Sequence, residues 1–558
     1  MNSEFDVVIA GGGLAGLTLA RQLHIEAPHV RVLVCEKRRH PVPEAAFKVG
    51  ESSVEIGAHY FKTIVNLEAL LDRDHLPKLG LRYFFPYEDN RDIATRVELG
   101  TSVFPPVPSF QLDRGRFENS LLTLARESGA SVLDGCTVRE IDLGDAAHGV
   151  VVDTADGART VTARWVVDSS GRAGLLKRKL GLRRPVSHAA NACWFRFPDR
   201  LKVDDWSDDP VWRARVPERQ RWLSTNHLMG AGYWVWLIPL GSGSTSVGIV
   251  ADPALHPFHR LSRFDRAIDW LREFEPQCAD VVETHAPQLE DFLALQHFAH
   301  GCERVFSPDR WAMTGESGVF TDPFYSPGSD FIAIGNDFAT DLITRDLRGE
   351  DVRERAEIFN TLHLRLFDAF LKLYDGQYPL MGNPQVMTAK VAWDNAAYWS
   401  VTALLFFQRR LRHPEFMASI EPLMRRFFVL HARMQQLFAA WGRADDAAYG
   451  QARANVMDVD RLRQLQGSLD GPMMDDEALR ERLERNYVWL ESMARAYQRL
   501  AGEYDPALAR FIVRGHAEAR VTERVDLEPL KLTPFSQVWL GASCSRSQAR
   551  RACEKGDI

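Results

Sequence analysis

Asp6-Val7-Val8-Ile9-Ala10-Gly11-Gly12-Gly13-Leu14-Ala15-Gly16 decides the fold. The first five residues form a short apolar run, the pattern of a buried parallel strand. Gly11-x-Gly13-x-x-Gly16 follows, and Leu17 to Leu23 continue at helical spacing. Arg31-Val32-Leu33-Val34-Cys35-Glu36 reads as a second strand, so the chain opens with a βαβ unit. Glycines in this context allow a tight turn and let the backbone approach a pyrophosphate. The helix N-terminus adds amide donors and a positive dipole end. Glu36 closes the second strand 20 residues after Gly16, where a carboxylate accepts from a ribose hydroxyl. The fold class is α/β, a Rossmann-like dinucleotide module. Its candidate contacts are Gly11, Gly13, Leu14, Ala15, Gly16, Glu36 and Lys37.

The rest of the composition narrows the partners. The chain has 558 residues, enough for two or three domain-sized units. A net charge of -7 points away from nucleic acid. The seven cysteines, Cys35, Cys136, Cys193, Cys278, Cys302, Cys544 and Cys553, show no CxxC or metal-ligand spacing. They read as reduced thiols of a cytoplasmic protein, with no metal site. Met1 to Asp6 lack the charged and apolar regions of a secretory signal. The apolar stretch from Ala396 to Phe407 is too short for a membrane span and is expected to be a buried helix.

Two stretches, about 81–112 and 190–300, are rich in aromatic residues, strands and turns. They are expected to form one substrate-side sheet interleaved with a module that ends near residue 345. From 346 to 558 the character is helical, giving a C-terminal cap. Phe427, Leu430, Met434, Leu437, Phe438 and Trp441 recur at three and four residues, as do Leu479, Leu483, Leu490, Met493 and Tyr497. The polar stretch 543–558 is expected to fray. His256, His259, His297 and His300 lack a matching carboxylate pattern and read as structural or surface residues.

Three segments refine the nucleotide. Val166-Val167-Asp168-Ser169-Ser170-Gly171-Arg172 resembles the D-x-x-G-R turn of aromatic flavoprotein hydroxylases. Gln111-Leu112-Asp113-Arg114-Gly115-Arg116-Phe117 resembles the stretch that enters a helix beside their flavin. The segment from Thr314-Gly315-Glu316 to Asp322-Pro323 resembles their late flavin contact, with glutamate where aspartate is usual. Together they imply FAD.

Trp234-Val235-Trp236-Leu237-Ile238-Pro239 is the other marked feature. On a strand, i and i+2 face one side, so the indoles build a single aromatic wall. The hexapeptide matches W-x-W-x-I-P, and Phe320-Thr321-Asp322-Pro323-Phe324-Tyr325-Ser326-Pro327-Gly328 matches F-x-x-P-x-x-S-x-G. With the turn Gly50-Glu51-Ser52, these features resemble the flavin-dependent halogenase family. The resemblance implies an enzyme that takes FADH2 from a separate NAD(P)H flavin reductase. It makes hypohalous acid from chloride or bromide and O2 at the flavin. A channel delivers that acid to a lysine beside an electron-rich substrate: a phenol, pyrrole, indole or carrier-bound acyl chain.

The resemblance also assigns residues. Lys78, in His75-Leu76-Pro77-Lys78-Leu79-Gly80-Leu81-Arg82-Tyr83, falls at the family's lysine segment and is the catalytic candidate. Lysine suits that role because burial readily lowers its pKa. Lys48 is the rival, expected on the flavin side. Trp234 and Trp236 are gatekeepers that keep an organic ring from the flavin. Gly50, Glu51, Ser52, Arg114, Asp168, Gly315, Asp322, Pro323 and Gly328 join the cofactor contacts. The halide segment is Ser326, Pro327, Gly328 and Ser329; Pro327 has no N–H, so donation falls to Gly328 and its neighbours. Tryptophan-specific members carry a glutamate where this chain has Tyr325, which argues against free tryptophan as substrate. Glu51, Glu316 and Asp330 are the replacement acids. A homodimer is compatible with all of this. An FAD-dependent aromatic monooxygenase is the second activity the frame allows.

Overall fold

The computed structural model describes residues 3–45, 47–511 and 525–533. Cys544, Cys553 and the polar stretch from residue 543 lie outside them. Strand Glu4–Ala10 lies between two parallel neighbours, Gly157–Asp168 and Val32–Glu36. Val7, Val8, Ile9 and Ala10 are fully buried, because a central parallel strand is covered on both faces. The sheet continues outward through Ser131–Asp134 on one side and Trp311–Met313 on the other. It is not wholly parallel. Thr137–Asp142 and His148–Thr154 form an antiparallel arm against the start of Gly157–Asp168. Helix Leu14–Glu26 packs on helix Gly328–Leu347, where Asn336 Nδ2 donates to Ala15 O at 3.0 Å.

Strands from both aromatic-rich stretches pair in a second eight-stranded sheet. Its centre runs Asn191–Phe197, Thr245–Ala251, Tyr233–Pro239, Thr225–Gly230 and Leu81–Phe84. The pleat divides two cores. Trp234, Trp236, Trp194 and Val250 join the large core shared with the nucleotide module and the cap. Tyr233, Val235, Leu237, Phe195 and Ile249 face a separate core closed by helices Phe264–Phe274 and Pro276–His285. Both faces are thus dry, and all seven residues of Tyr233–Pro239 are buried.

The cap is built from helices Arg353–Leu371, Pro384–Ala397, Glu421–Ala444 and Asp476–Gly502. Both expected helical stripes are buried on the last two. The stretch from Ala396 to Phe407 is a buried helical continuation, passing through a π-helical segment, Tyr398–Ala403. Among the described residues no helix is long and apolar enough to cross a membrane. The expected division at residue 345 falls within the last turn of Gly328–Leu347. Moreover, Arg453–Ala454 from the helical region adds an edge strand to the second sheet, against Glu98–Leu99. Local hydrophobic period cannot reveal such a long-range pairing.

Candidate active site

The glycine turn forms a cradle by close approach. Gly11 has φ +119°, and a Cβ there would lie 2.3 Å from Ser169 O; at Gly16 it would lie 2.0 Å from Gly11 O. Neither position tolerates a side chain. Gly13, at the helix entrance, meets nothing nearer than Glu118 Oε1 at 4.0 Å, so the helix N-terminus faces free space. Glu36 Oε2 accepts from Gly12 N at 2.7 Å and Oε1 from Arg38 N at 2.9 Å. Carboxylate oxygens have lone pairs to spare, which leaves capacity for a ribose hydroxyl. Lys37 is exposed just beyond the strand.

Charges gather around this space. Lys48 pairs with Glu118, and Arg114 NH2 donates to Glu118 Oε1 at 2.6 Å. Arg114 NH1 donates to Val49 O at 2.7 Å, while its Nε is buried without a partner among the described residues. Burial raises the Glu316 carboxyl; Arg172, Arg114, Lys48 and Lys177 oppose this. Burial and the nearby Arg114 draw the Lys48 ammonium down to about 7. A glycine turn at a helix N-terminus, an acid on the second strand and an under-partnered buried arginine fit FAD and its diphosphate.

Several other sequence-named residues have defined partners within the frame. Asp168 is fully buried and accepts from Ser170 N at 2.9 Å and Leu176 N at 2.8 Å, so its carboxylate braces its own turn. Gly315 has φ +65° and packs against Ala15. Asp322 Oδ2 accepts from His188 Nε2 at 2.7 Å and from Tyr378 OH at 2.6 Å. Pro323 O closes the turn to Ser326 N at 2.8 Å. Ser326 has φ +58°, an uncommon conformation for a residue with a Cβ. This turn launches helix Gly328–Leu347 from Pro327. The amides of Gly328 and Ser329 open that helix and have no intrahelical acceptor. A Cβ on Gly328 would meet open space, and Ser329 Oγ is buried without a partner among the described residues.

Lys78 lies elsewhere, and its placement is specific. Its amide donates to Ser109 O at 2.9 Å, and Leu79 N donates to Leu223 O at 3.0 Å. Gly80, φ +62°, then turns the chain into strand Leu81–Phe84. Arg82 anchors that strand through buried Glu98. The Lys78 side chain is 1% exposed, and Nζ donates to Ser52 Oγ and Ser53 O, each at 2.8 Å. Burial drives its ammonium down to about 7, opposed by Glu55 and Asp330. Burial likewise raises the Asp330 carboxyl to about 7. Asp330 Oδ1 accepts from Gly57 N at 2.8 Å and Oδ2 from Tyr398 OH at 2.7 Å.

This arrangement sorts the three acids. Only Asp330 acts on Lys78. Glu316 stands in the cradle, and Glu51 bonds Ser246, with burial pushing its carboxyl up to about 8. Ser52 is not placed in the flavin cradle: its hydroxyl bonds Lys78 and Thr225 Oγ1, the latter at 2.9 Å. Glu55 was not among the sequence candidates. It lies 23 residues before Lys78, and no local pattern links the two. Tyr325 OH donates to Asp394 Oδ2 at 2.9 Å, and Asp394 also pairs with fully buried Lys390 at 2.8 Å. Tyr325 therefore belongs to a closed network.

The two indoles meet at a centroid distance of 5.6 Å. Trp234 Nε1 donates to Tyr378 OH at 3.0 Å; Trp236 Nε1 donates to Ser246 Oγ at 3.1 Å. A Cβ on Gly248 would lie 2.2 Å from the Trp236 ring, so a glycine on the neighbouring strand lets that indole lie flat across the sheet. Phe324 packs edge-on against Trp234 at 5.3 Å. His227 touches Trp234 and stacks on Tyr83 at 4.7 Å. An aromatic chain thus leads from Glu51 and Ser246, through both tryptophans, to Tyr83 on the Lys78 cavity.

Fold and cradle define an FAD-dependent oxidoreductase. Residues 9–73 match the model of an NAD(P)-binding Rossmann-like domain. The chain is 27% identical over 434 residues to a flavin-dependent halogenase, chlA, of Dictyostelium discoideum, covering 72% of this chain and 70% of that one. It is 27% identical over 348 residues to a pyrrole-2-carbonyl carrier-protein chlorinase of Pseudomonas fluorescens, covering 58% and 72%. A mutant of halogenase PltM in complex with FAD shares the fold at TM-score 0.62 and 16% identity, covering 88% of this chain and 96% of that one. Over about seven-tenths of its length the chain is similar to flavin-dependent halogenases.

Proposed function

We propose that this enzyme halogenates an electron-rich aromatic or conjugated substrate at Lys78, using reduced FAD from a separate NAD(P)H flavin reductase. The observation that carries this reading is a buried lysine without a carboxylate on its amine, in a cavity joined to the flavin side by a continuous aromatic chain. Reduced FAD, when bound, supplies with O2 the two-electron oxidation of halide to hypohalous acid. Gly11, Gly13, Leu14, Ala15 and Gly16 take the diphosphate at the helix entrance, with Glu36 on the ribose. Lys48 and Arg114 balance its charge. The opening amides of Gly328 and Ser329 offer donors to halide beside a positive helix end.

Trp234 and Trp236 exclude a bulky ring from the flavin while a small acid passes. Lys78 Nζ has two acceptors on one side, Ser52 Oγ and Ser53 O, which hold the amine in one orientation. A lysine drawn to about 7 exists in both forms near neutral pH. The charged form donates to the oxidant; the neutral form accepts halogen.

The test combines the FAD-loaded protein with a flavin reductase, NADH, O2 and bromide, over phenols, pyrroles, indoles and carrier-bound acyl substrates. The expected product carries the paired isotope pattern of bromine in its mass spectrum. Hydroxylated product formed without halide, or no brominated product from any substrate, overturns the proposal.

A further inference from the structure

Segments far apart in sequence meet at the Lys78 amine. Residues 51–53 are pinned to residues 110–112: Ser53 N donates to Phe110 O at 3.0 Å, Leu112 N donates to Glu51 O at 2.6 Å, and Ser52 bridges Gln111. Lys78 N donates to Ser109 O at 2.9 Å, and Thr225 N donates to Gly80 O at 3.1 Å. Backbone bonds therefore fix where the side chains of Ser52, Lys78, Gln111 and Thr225 stand, and all four are buried.

Their polar atoms form one unbroken chain. Lys78 Nζ donates to Ser52 Oγ at 2.8 Å, and Ser52 Oγ lies 2.9 Å from Thr225 Oγ1. Thr225 Oγ1 donates to Gln111 Oε1 at 3.2 Å and lies 3.0 Å from Gln111 Nε2. Gln111 Nε2 reaches Leu223 O at 3.4 Å, and Leu223 O also accepts from Leu79 N at 3.0 Å. The chain thus closes on the segment where it began. It ends on a backbone carbonyl, so it orients protons and does not conduct them to solvent.

Its polarity depends on the charge of Lys78. An ammonium is a donor only. While Lys78 is charged, Ser52 Oγ must accept from it, and among the described residues the Ser52 proton then has Thr225 Oγ1 as its acceptor. Thr225 passes its own proton to Gln111 Oε1. A neutral amine has a lone pair, and for it the chain can also run backwards, from Gln111 Nε2 through Thr225 and Ser52 to Nζ. Only the charged form needs Thr225 as an acceptor. With Ser52 Oγ and Ser53 O both accepting, the third N–H of the ammonium is left for the cavity that Lys78 lines.

We propose that Ser52, Thr225 and Gln111 are positioning residues for Lys78: a closed hydroxyl relay that holds the amine as a donor, leaves its third N–H to the cavity and favours the ammonium over the bare amine. This rests on the halogenation reading and adds which form of the lysine its surroundings favour. The relay opposes burial, which draws the ammonium down. The titratable groups around Lys78 come from several elements. Glu55, just after Ser52, and Asp330, on helix Gly328–Leu347, also favour the ammonium. His227, on strand Thr225–Gly230, is held down to about 3 by burial and stays neutral. Tyr83, on strand Leu81–Phe84, lines the same cavity, and burial raises its hydroxyl well above the usual tyrosine range. None of these groups bonds the Thr225 hydroxyl among the described residues, so removing that hydroxyl probes the relay with the charges unchanged.

The test uses the FAD-loaded full chain and trace acetic anhydride. Acetylation of Lys78 is followed by peptide mass spectrometry from about pH 5 to about pH 10, with exposed Lys37 as reference. Thr225→Val keeps the branched shape and removes the hydroxyl. It should move the Lys78 titration down by about one pH unit, a tenfold loss of proton affinity. Ser52→Ala, on a different segment, should move it the same way. Thr225→Ser keeps a hydroxyl and should leave the titration where the wild type has it. An unmoved or raised titration in Thr225→Val, or a serine variant that shifts as far as the valine one, overturns the relay. So does a wild-type Lys78 that acetylates at no pH, because its amine would not face the cavity. A shifted titration without brominated product from the wild type supports the relay and overturns the halogenation reading; brominated product with an unmoved titration does the reverse.

Discussion

Lys48 and Lys78 are both drawn down to about 7 by burial, yet they stand in opposite company. Lys48 pairs with the Glu118 carboxylate, among arginines and acids of the flavin cradle, and its side chain is 25% exposed. Lys78 is sealed, and its amine touches only a hydroxyl and a carbonyl. A carboxylate partner fixes the charged form in place, whereas neutral acceptors let the amine lose its proton without stranding an anion. The same residue type thus stands as a paired cation at one site and as a buried amine on neutral acceptors at the other.

The sharpest way to break that comparison is to remove each lysine in turn. Lys78→Ala should cut bromination about a thousandfold, the upper-middle range for a positioned acid–base group, with flavin content unchanged by absorbance. Lys48→Ala should instead weaken FAD binding about tenfold to a hundredfold, as expected for a lost charged hydrogen bond, seen in flavin titrations. The reverse pattern of losses would exchange the roles assigned to the two lysines.

The wall beside Lys78 can be tested by overpacking. Gly248→Ala places a Cβ against the Trp236 ring and should lower stability by about 1–3 kcal/mol in urea denaturation. An unchanged midpoint would show that the indole moves freely.

Titration sharpens the electrostatic half. Asp330 has its carboxyl raised from 3.8 to about 7, so the folded chain binds that proton more firmly than the unfolded one. The wild type should therefore lose stability relative to Asp330→Asn as pH rises from about 4 to about 7, by roughly 3 kcal/mol. Lys78, lowered from 10.5, acts with the opposite sign: its contribution grows as pH rises from about 7 towards 10.5. A flat difference between wild type and Asp330→Asn would detach Asp330 from the Lys78 cluster. The smallest effect is expected at Tyr325→Phe. It removes one hydrogen bond from an Asp394 that keeps Lys390 and Gln435, and should cost about 1 kcal/mol with bromination within a few-fold.

Much of the frame was legible because its signals are local. The glycine turn, the acid at the end of the second strand and the two helical stripes each lie within one element, where period and spacing report structure directly. The tryptophan pair was legible for the same reason, since a strand's alternation puts i and i+2 together. Other features depend on contacts between distant segments. Ser52 was assigned to the flavin because it follows Gly50 and Glu51, but the chain crosses from cradle to cavity within those three residues. Asp168 and Asp322 brace turns and side chains through partners that their own motifs do not spell out. Glu55 acquires meaning only when the fold brings it beside Lys78, 23 residues later. The edge strand Arg453–Ala454 and the Tyr378 contact with Trp234 join parts of the chain more than 140 residues apart.

The Trp234 indole is tied in series to Tyr378 of the helical region, to Asp322 of the turn preceding Gly328–Leu347, and to His188. Transplanting a cap from a relative with different substrate preference would therefore do more than change the cavity. Unless the donor cap supplies a hydroxyl at position 378, the exchange unties Trp234 from the loop that precedes helix Gly328–Leu347. On the proposed function, altered selectivity would then come with oxidant lost to solvent. For protein engineers, position 378 marks the seam along which this enzyme resists being cut.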